Sequence, residues 1–264
     1  MARTTRTAAE EEQGVVLRTE GLTKKFGELV AVEDVDFSLE RGEFRSVIGP
    51  NGAGKTTLFN LISGALPATA GTITFKGEDV TALDPYQRVR RGVARSFQIT
   101  MVFNGLSVRE NVRLAAQSMA LDDMSPQQVL FADKNGFEDV SAITDDVLER
   151  VGLEGMGAVQ ASNLAYGDRR RLEIGLVLAT DPEVILLDEP TAGMSSDETV
   201  DTIELVEDVL ADKTLILVEH DVELVMNVSD KITVLHQGQV LAEGTPQEIS
   251  DNEAVQEAYL GGYD

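Results

Sequence analysis

The sequence predicts an α/β fold: a core on a mainly parallel sheet, an antiparallel β arm, and an inserted, mainly helical subdomain. Three observations predict it. An apolar run, Phe44 to Ile48, leads into a glycine-rich turn and then a helix, the strand-loop-helix unit of α/β proteins. Two further apolar runs, Val184 to Leu187 and Thr214 to Val218, are continuous, as strands covered on both faces are. Earlier segments, Leu29 to Leu39 and Gly71 to Gly77, instead alternate apolar and polar residues in the manner of half-buried antiparallel strands.

With 264 residues the chain is long enough for one large domain or a core with a subdomain. It has no run of about 18 uncharged apolar residues that could span a membrane. Residues 1–14 hold two arginines and then Glu10, Glu11 and Glu12, without the apolar stretch of a signal peptide; the expectation is a disordered acidic tail on a cytosolic protein, with the folded domain over 15–264. There are no cysteines, which excludes disulfides and thiolate metal sites. Acidic residues number 46 against 22 basic ones, for a formal net charge of −24. Such acidity argues against a nucleic-acid partner, which would need a basic face. Because the acidity runs through the whole chain, it predicts a halophilic protein, whose self-repulsion molar salt would screen.

In chain order, Val15 to Glu20 reads as a short strand, Leu29 to Leu39 as its neighbour, and Arg41-Gly42-Glu43 as a turn. Phe26 lies between the two strands; taken alone it reads as a core residue, although an aromatic there could also stack on a base. After the strand Phe44 to Ile48 comes Gly49-Pro50-Asn51-Gly52-Ala53-Gly54-Lys55-Thr56-Thr57, which fits G-x-x-x-x-G-K-[ST]. Glycines at those positions let main-chain N–H groups turn inward around an anion. The helix starting near Lys55 aims its positive end at the same point, Lys55 adds a charge for β and γ phosphates, and the Thr56 hydroxyl suits Mg²⁺. This pattern predicts nucleotide binding. The helix is expected to end near Ser63-Gly64, and Gly71 to Gly77 forms an arm strand.

Arg88 to Arg95 is a basic run, and Ser96-Phe97-Gln98 closes an alternating segment. From Ser107 the character becomes helical: Ser107-Val108-Arg109-Glu110 has capping-box spacing, Val108 to Met119 has helical period, Gly136 is expected to break the chain, and Ile143 to Val151 follows as a second helix. The inserted subdomain is placed at about 99–165. Leu164-Ala165-Tyr166-Gly167-Asp168 opens the next helix, where Gly167 permits close approach of a ligand to the backbone. The strand Val184 to Leu187 ends in Asp188 and Glu189, adjacent carboxylates at the edge where α/β sheets place ligands; Asp188 can hold Mg²⁺ through water, and Glu189 can orient and deprotonate an attacking water. His220 follows the strand Thr214 to Val218 at the same kind of edge, whereas His236 reads as a turn residue on the surface. A terminal hairpin, Ile232 to Ala242, precedes a last helix from about Pro246 to Leu260.

Taken together, residues 15–260 resemble an ATP-binding cassette (ABC) ATPase, a P-loop NTPase fold. The glycine loop Gly49 to Thr57, the glutamine Gln98, the signature-like Leu164 to Asp168, the pair Asp188-Glu189, the loop Ala192-Gly193-Met194 and the histidine His220 stand in that family's order. The resemblance implies ATP and Mg²⁺ as cofactors and makes Phe26 the adenine-stacking residue. It also implies a head-to-tail pair of cassettes, formed with a companion ATPase subunit or with a second copy. Each ATP would lie between one glycine loop and the other chain's Gly167 helix start, with Thr56, Gln98 and Asp188 around Mg²⁺, Glu189 activating water and His220 holding the γ-phosphate.

Finer phrases, Asn163 to Gly167 with Arg170 to Ile174, Glu219-His220-Asp221 before Leu224 to Met226, and Ala258-Tyr259-Leu260-Gly261, are similar to the ATPase subunits of branched-chain amino acid importers. That resemblance implies a peripheral protein on the cytoplasmic face of the membrane, docked through Ile99 to Leu106 and the helical subdomain on separate permease subunits, and served indirectly by an extracytoplasmic substrate-binding protein. A urea or amide importer, a lipid exporter and a non-transport ABC ATPase stay open as alternatives. Two positions depart from the common signature: Ala165 stands where serine is usual, and Asp168 where glutamine or glutamate is.

Overall fold

The computed structural model describes residues 14–96, 102–120 and 134–260, and of residues 120, 134–138, 196 and 260 the main chain only. Residues 97–101, which include Gln98 and the first part of the expected docking segment, lie outside the described residues, as does the tail up to residue 13. The described chain divides into two compact units, 1–88 with 213–264 and 89–212.

The first unit holds the arm. β1 (Val15–Phe26) and β2 (Leu29–Glu40) pair antiparallel around a turn at Gly27, and β1 pairs on its other side with β4 (Ala70–Phe75), which β5 (Glu78–Asp79) extends. β1 runs six residues beyond the strand that its sequence suggests, because bulges between Thr19 and Lys24 let it keep pairing through a stretch that does not alternate. β3 (Phe44–Ile48) lies parallel to both β8 (Thr214–Val218) and β9 (Lys231–His236), and β10 (Gln239–Gly244) closes the edge antiparallel to β9.

Below the glycine loop, Arg45 of β3 is fully buried. Its guanidinium meets Glu43, Glu243 at 2.9 Å, Thr233 Oγ1 at 3.1 Å and the Ser38 carbonyl at 3.0 Å. A buried cation is tolerable only when its donors are satisfied in this way. Arg88 behaves likewise. It lies on α2 (Pro85–Arg91), is 1% exposed, and donates to the carbonyls of Leu61 and Ile62 at 2.7 Å each, Thr81 at 2.9 Å and Leu83 at 3.1 Å, which closes the C-terminal end of α1 (Lys55–Ile62). Burial lowers its pKa to about 10, so it is charged at neutral pH.

The second unit holds the parallel pair β6 (Val93–Arg95) and β7 (Val184–Asp188) together with α3 (Val108–Ala120), α4 (Lys134–Arg150), α5 (Tyr166–Leu178) and α6 (Ser196–Leu210). Ser107 and Glu110 form the expected capping box, with the Ser107 N–H donating to Glu110 Oε2 at 2.8 Å. Gly136 does not break the chain, contrary to expectation: it lies inside the first turn of the 17-residue helix α4, where one glycine costs about 1 kcal/mol and the remaining turns outweigh it.

In the first unit, the C-terminal helix is two helices, α8 (Pro246–Ser250) and α9 (Glu253–Leu260), following α7 (Val222–Val228). The break falls at Asp251-Asn252 because the Asn252 side chain accepts from the Val255 N–H at 3.2 Å and starts a new helix. Among the described residues, no helix is long and apolar enough to cross a membrane.

Candidate active site

The glycine loop leaves β3 where β8 also ends: Val47 stands opposite Val218, so Gly49 and His220 emerge from the same edge of the parallel sheet. The loop is tightly backed. A Cβ at Gly49 would stand 2.2 Å from the Leu235 carbonyl oxygen, and one at Gly54, where φ is 105°, would stand 2.6 Å from the Ala31 carbonyl oxygen. No residue but glycine fits either place. The turn at Gln237-Gly238 reinforces this backing: the Gly238 N–H donates to the Ala53 carbonyl at 3.0 Å, and the Gly238 carbonyl accepts from Glu33 N–H at 2.8 Å.

Gly54 caps α1 in the left-handed region without any side-chain hydrogen bond, and a helix start capped in this way suits an anion. Lys55, 6% exposed, curls over the loop and donates to the carbonyls of Gly49 at 2.7 Å and Pro50 at 3.1 Å. Ala53 is buried, Pro50, Gly54 and Thr57 are half-buried, and Asn51, Gly52 and Thr56 are exposed. The cradle therefore fits a polyphosphate: a glycine-rich main chain and a buried lysine form it, and Thr56, the next residue of α1, is exposed.

Phe26 is 47% exposed at the tip of the arm, with Lys24 Nζ 5.2 Å from the centre of its ring. It is not a core residue. An exposed aromatic face backed by a cation is available for stacking on a base. His220 is exposed, and its main-chain N–H donates to the buried Glu219 carboxylate at 3.1 Å.

In the second unit, β7 is buried throughout and delivers Asp188, whose carboxylate pairs with Arg95 of β6 through Oδ2. Its other oxygen, Oδ1, is buried with no hydrogen-bond partner among the described residues. An orphaned carboxylate oxygen of this kind suits a hydrated divalent cation. Glu189, half-buried, follows with φ at 47°, a left-handed conformation that costs a residue with a side chain about 1–2 kcal/mol. Its carbonyl accepts from Ala192 N–H at 3.1 Å, so the tight turn after the strand fixes the strained residue.

Ala165 caps α5 in an extended conformation with no side-chain bond, and Ala165, Tyr166 and Gly167 are exposed. The helix start therefore offers unfilled N–H groups of its own. Leu164 and Asp168 are half-buried. Arg170 donates to Glu173 at 2.6 Å and to the Pro190 carbonyl at 2.8 Å, which ties α5 to the turn carrying Glu189.

Sequence reasoning took Arg88 to Arg95 as one basic run. The structure gives its two ends separate tasks, Arg88 closing α1 and Arg95 pairing with Asp188. The only local signal for the second is the position of Arg95 at the end of an alternating segment, just ahead of Ser96-Phe97-Gln98.

Comparisons with known proteins point to one family. The family described as "ABC transporter" matches residues 32–192, and the family described as "Branched-chain amino acid ATP-binding cassette transporter" matches residues 239–264. The chain is 42% identical to the high-affinity branched-chain amino acid transport ATP-binding protein LivG of Salmonella typhimurium over 93% of its own length and 98% of the relative's. To the lipopolysaccharide export system ATP-binding protein LptB of Escherichia coli it is 34% identical, over 93% of this chain and 97% of the relative. Among solved structures, an ATP-binding cassette of an ABC transporter in its ADP conformation superposes with a TM-score of 0.79 at 32% identity, covering 94% of this chain and 99% of that one. A nucleotide-free cassette gives 0.77 at 31%, covering 93% and 98%.

Proposed function

The chain belongs to the ABC transporter family of ATP-binding cassettes, and from that premise we propose that it is the ATP-hydrolysing subunit of an importer for branched-chain amino acids. The observation that carries the substrate class is the match of residues 239–264, which include β10, α8 and α9, to the family of branched-chain amino acid cassettes. The lipopolysaccharide-export relative is less similar, at 34% identity against 42%.

In this reading Lys55, the Gly49–Thr57 amides and the open start of α1 bind the phosphates, and Phe26 stacks on the adenine. Thr56, Gln98 and, through water, Asp188 would hold Mg²⁺, which would supply charge neutralisation on the phosphates. Glu189 orients water and takes its proton, and His220 holds the γ-phosphate. The α5 start of a second cassette, Leu164 to Asp168, completes the site with N–H groups that its N-cap residue, Ala165, does not cap. The folded domain is 15–264, with a helical subdomain at about 99–165 that docks on permease subunits at the cytoplasmic face of the membrane. An extracytoplasmic binding protein delivers the amino acid to those permease subunits. The net charge of −24 supports work in a salt-rich cytoplasm.

Reconstitution with the permease and companion ATPase subunits in proteoliposomes tests this. ATP turnover that rises with leucine-loaded binding protein and drives leucine uptake is the expected result. Turnover stimulated by lipid or lipopolysaccharide and indifferent to leucine would move the chain to the export branch.

A further inference from the structure

We propose that Arg95 is a positioning residue for Asp188: by holding carboxylate oxygen Oδ2 it presents Oδ1 to the hydrated cation that arrives with ATP. The inference rests on the reading of Asp188 as a magnesium contact.

Strand pairing makes the arrangement obligatory. β6 runs parallel to β7 with Arg95 opposite Leu186, and the Ser96 N–H donates to the Leu186 carbonyl at 2.8 Å. Asp188 is two residues beyond Leu186, so its side chain falls on the same face of the pair as that of Leu186 and within reach of the Arg95 guanidinium. The resulting ion pair is enclosed, with the Asp188 side chain 1% exposed and that of Arg95 16%.

Without a partner, a carboxylate at the end of a strand can turn about its terminal torsion, which is broad and roughly two-fold, and offer either oxygen. A guanidinium on Oδ2 removes that freedom. What is left is Oδ1, buried and without a hydrogen-bond partner among the described residues, a cost that a folded protein carries where something else is to occupy the lone pairs.

A second consequence of Arg95 is opposite in sign: its positive charge repels the incoming cation. The two effects predict opposite results on its removal, which makes the proposal decidable. Outer partners that orient metal-binding side chains are typically worth about 10–100-fold in metal affinity. The orienting effect is taken to dominate, because the cation reaches Asp188 through water and already carries the phosphates as counter-charge.

The experiment uses the full chain. The dissociation constant of a fluorescent ATP analogue is measured in EDTA and in Mg²⁺, and Mn²⁺ binding in the presence of ATP is followed by electron paramagnetic resonance. The proteins are wild type, Arg95→Ala, Arg95→Lys, Asp188→Asn and Arg95→Ala in the Asp188→Asn background. We expect Arg95→Ala to leave EDTA binding within about twofold while the Mg²⁺ enhancement and the Mn²⁺ affinity fall about tenfold. Arg95→Lys should recover part of the loss, and Arg95→Ala should add nothing once Asp188 is asparagine. Wild-type enhancement in Arg95→Ala, tighter Mn²⁺ binding in it, or an undiminished loss on top of Asp188→Asn would each overturn the proposal. If Arg95→Ala does not fold, Arg95→Gln and Arg95→Lys decide by the same readouts. A wild type that binds ATP with no Mg²⁺ enhancement would instead sink the magnesium reading of Asp188.

Discussion

The phenol of Tyr259, on α9, faces the main chain of Gly49, the first residue of the glycine loop. Its ring packs on a buried cluster of Ile48, Val225, Ile232, Val234, Ile249 and Val255, so the helix near the C-terminus braces both the strand that feeds the loop and the loop itself. Burial pushes the phenol up to about 12, so it is neutral at any working pH, and its contact adds no pH dependence of its own below that range. Tyr259→Phe keeps the packing and removes the polar contact of the phenol with the loop, worth at most about 1 kcal/mol net. We expect ATP affinity to weaken by up to about fivefold, with a fall in melting temperature of no more than about 2–4 °C. An unchanged dissociation constant, measured by titration with a fluorescent nucleotide, would separate the helix from the loop's function.

Glu189 gives the next expectation. Its carboxylate is assigned the proton of the attacking water, and its φ of 47° is fixed by the turn that closes on Ala192. Glu189→Gln keeps shape and backbone and removes the base, so steady-state turnover should fall by at least about 10²-fold while ATP binding persists. Light scattering in ATP should show an accumulated dimer, with the companion subunit or with a second copy. Turnover that survives the substitution would place the base elsewhere.

The residues behind these two expectations differ in how legible they were. Glu189 was visible because its chemistry is written locally, in two carboxylates at the end of an apolar strand, just as the glycine loop and the Ser107 capping box are short patterns with their own physics. Tyr259 appeared in the sequence only within a family-like phrase, and Arg95 only within a basic run. Arg95 lies 93 residues from its partner, and an ion pair at that separation leaves no periodicity or spacing in the sequence. Gly136, expected to break the chain, and the single last helix expected over Pro246 to Leu260 differ from the structure for another reason: near a helix start, tolerance of one glycine and capping by one asparagine, here Asn252, are decided by neighbours that the residue itself does not specify.

Arg88 predicts a stability effect that spares chemistry. Arg88→Met fills much of the same volume but strips donors from the carbonyls of Leu61, Ile62, Thr81 and Leu83. The Leu61 carbonyl would still accept from Gly64 N–H, but those of Ile62, Thr81 and Leu83 would lose their donor, which should cost about 2–4 kcal/mol in urea unfolding. At a temperature where the variant remains folded, the Mg²⁺ dependence of ATP binding should stay that of wild type. A cost below about 1 kcal/mol would mean that water replaces the guanidinium.

Two exposed capping boxes set an acid-side expectation. Hydrogen bonds from the Ser107 main chain and hydroxyl hold the Glu110 carboxyl below its ordinary range, and those from Ser195 do the same for Glu198. A carboxylate whose pKa is lower when folded adds stability that is present above its unfolded value and lost as pH falls through the folded one. The stability difference between wild type and Glu198→Gln should therefore be present at pH 7 and disappear on acidification below the normal glutamate range. A difference that stays constant with pH would mean that the pair acts through packing alone.

The charge excess makes the last prediction. With 46 acidic against 22 basic side chains, the folded state concentrates repulsion that the unfolded chain can relax by expanding. Screening acts over about 10 Å at 0.1 M salt and about 3 Å at 1 M, so raising KCl should remove most of the penalty before about 1 M. The melting temperature should therefore climb steeply up to that point and flatten beyond it. A general exclusion effect of salt would keep rising and would be reproduced by sucrose, which screens nothing. Substituting surface glutamates by glutamine, away from both capping boxes and both buried arginine clusters, should raise the low-salt melting temperature and shrink the salt response in step. Full stability at low salt in the wild type, with no response to those substitutions, would remove the halophilic reading and leave the acidity without a stability role.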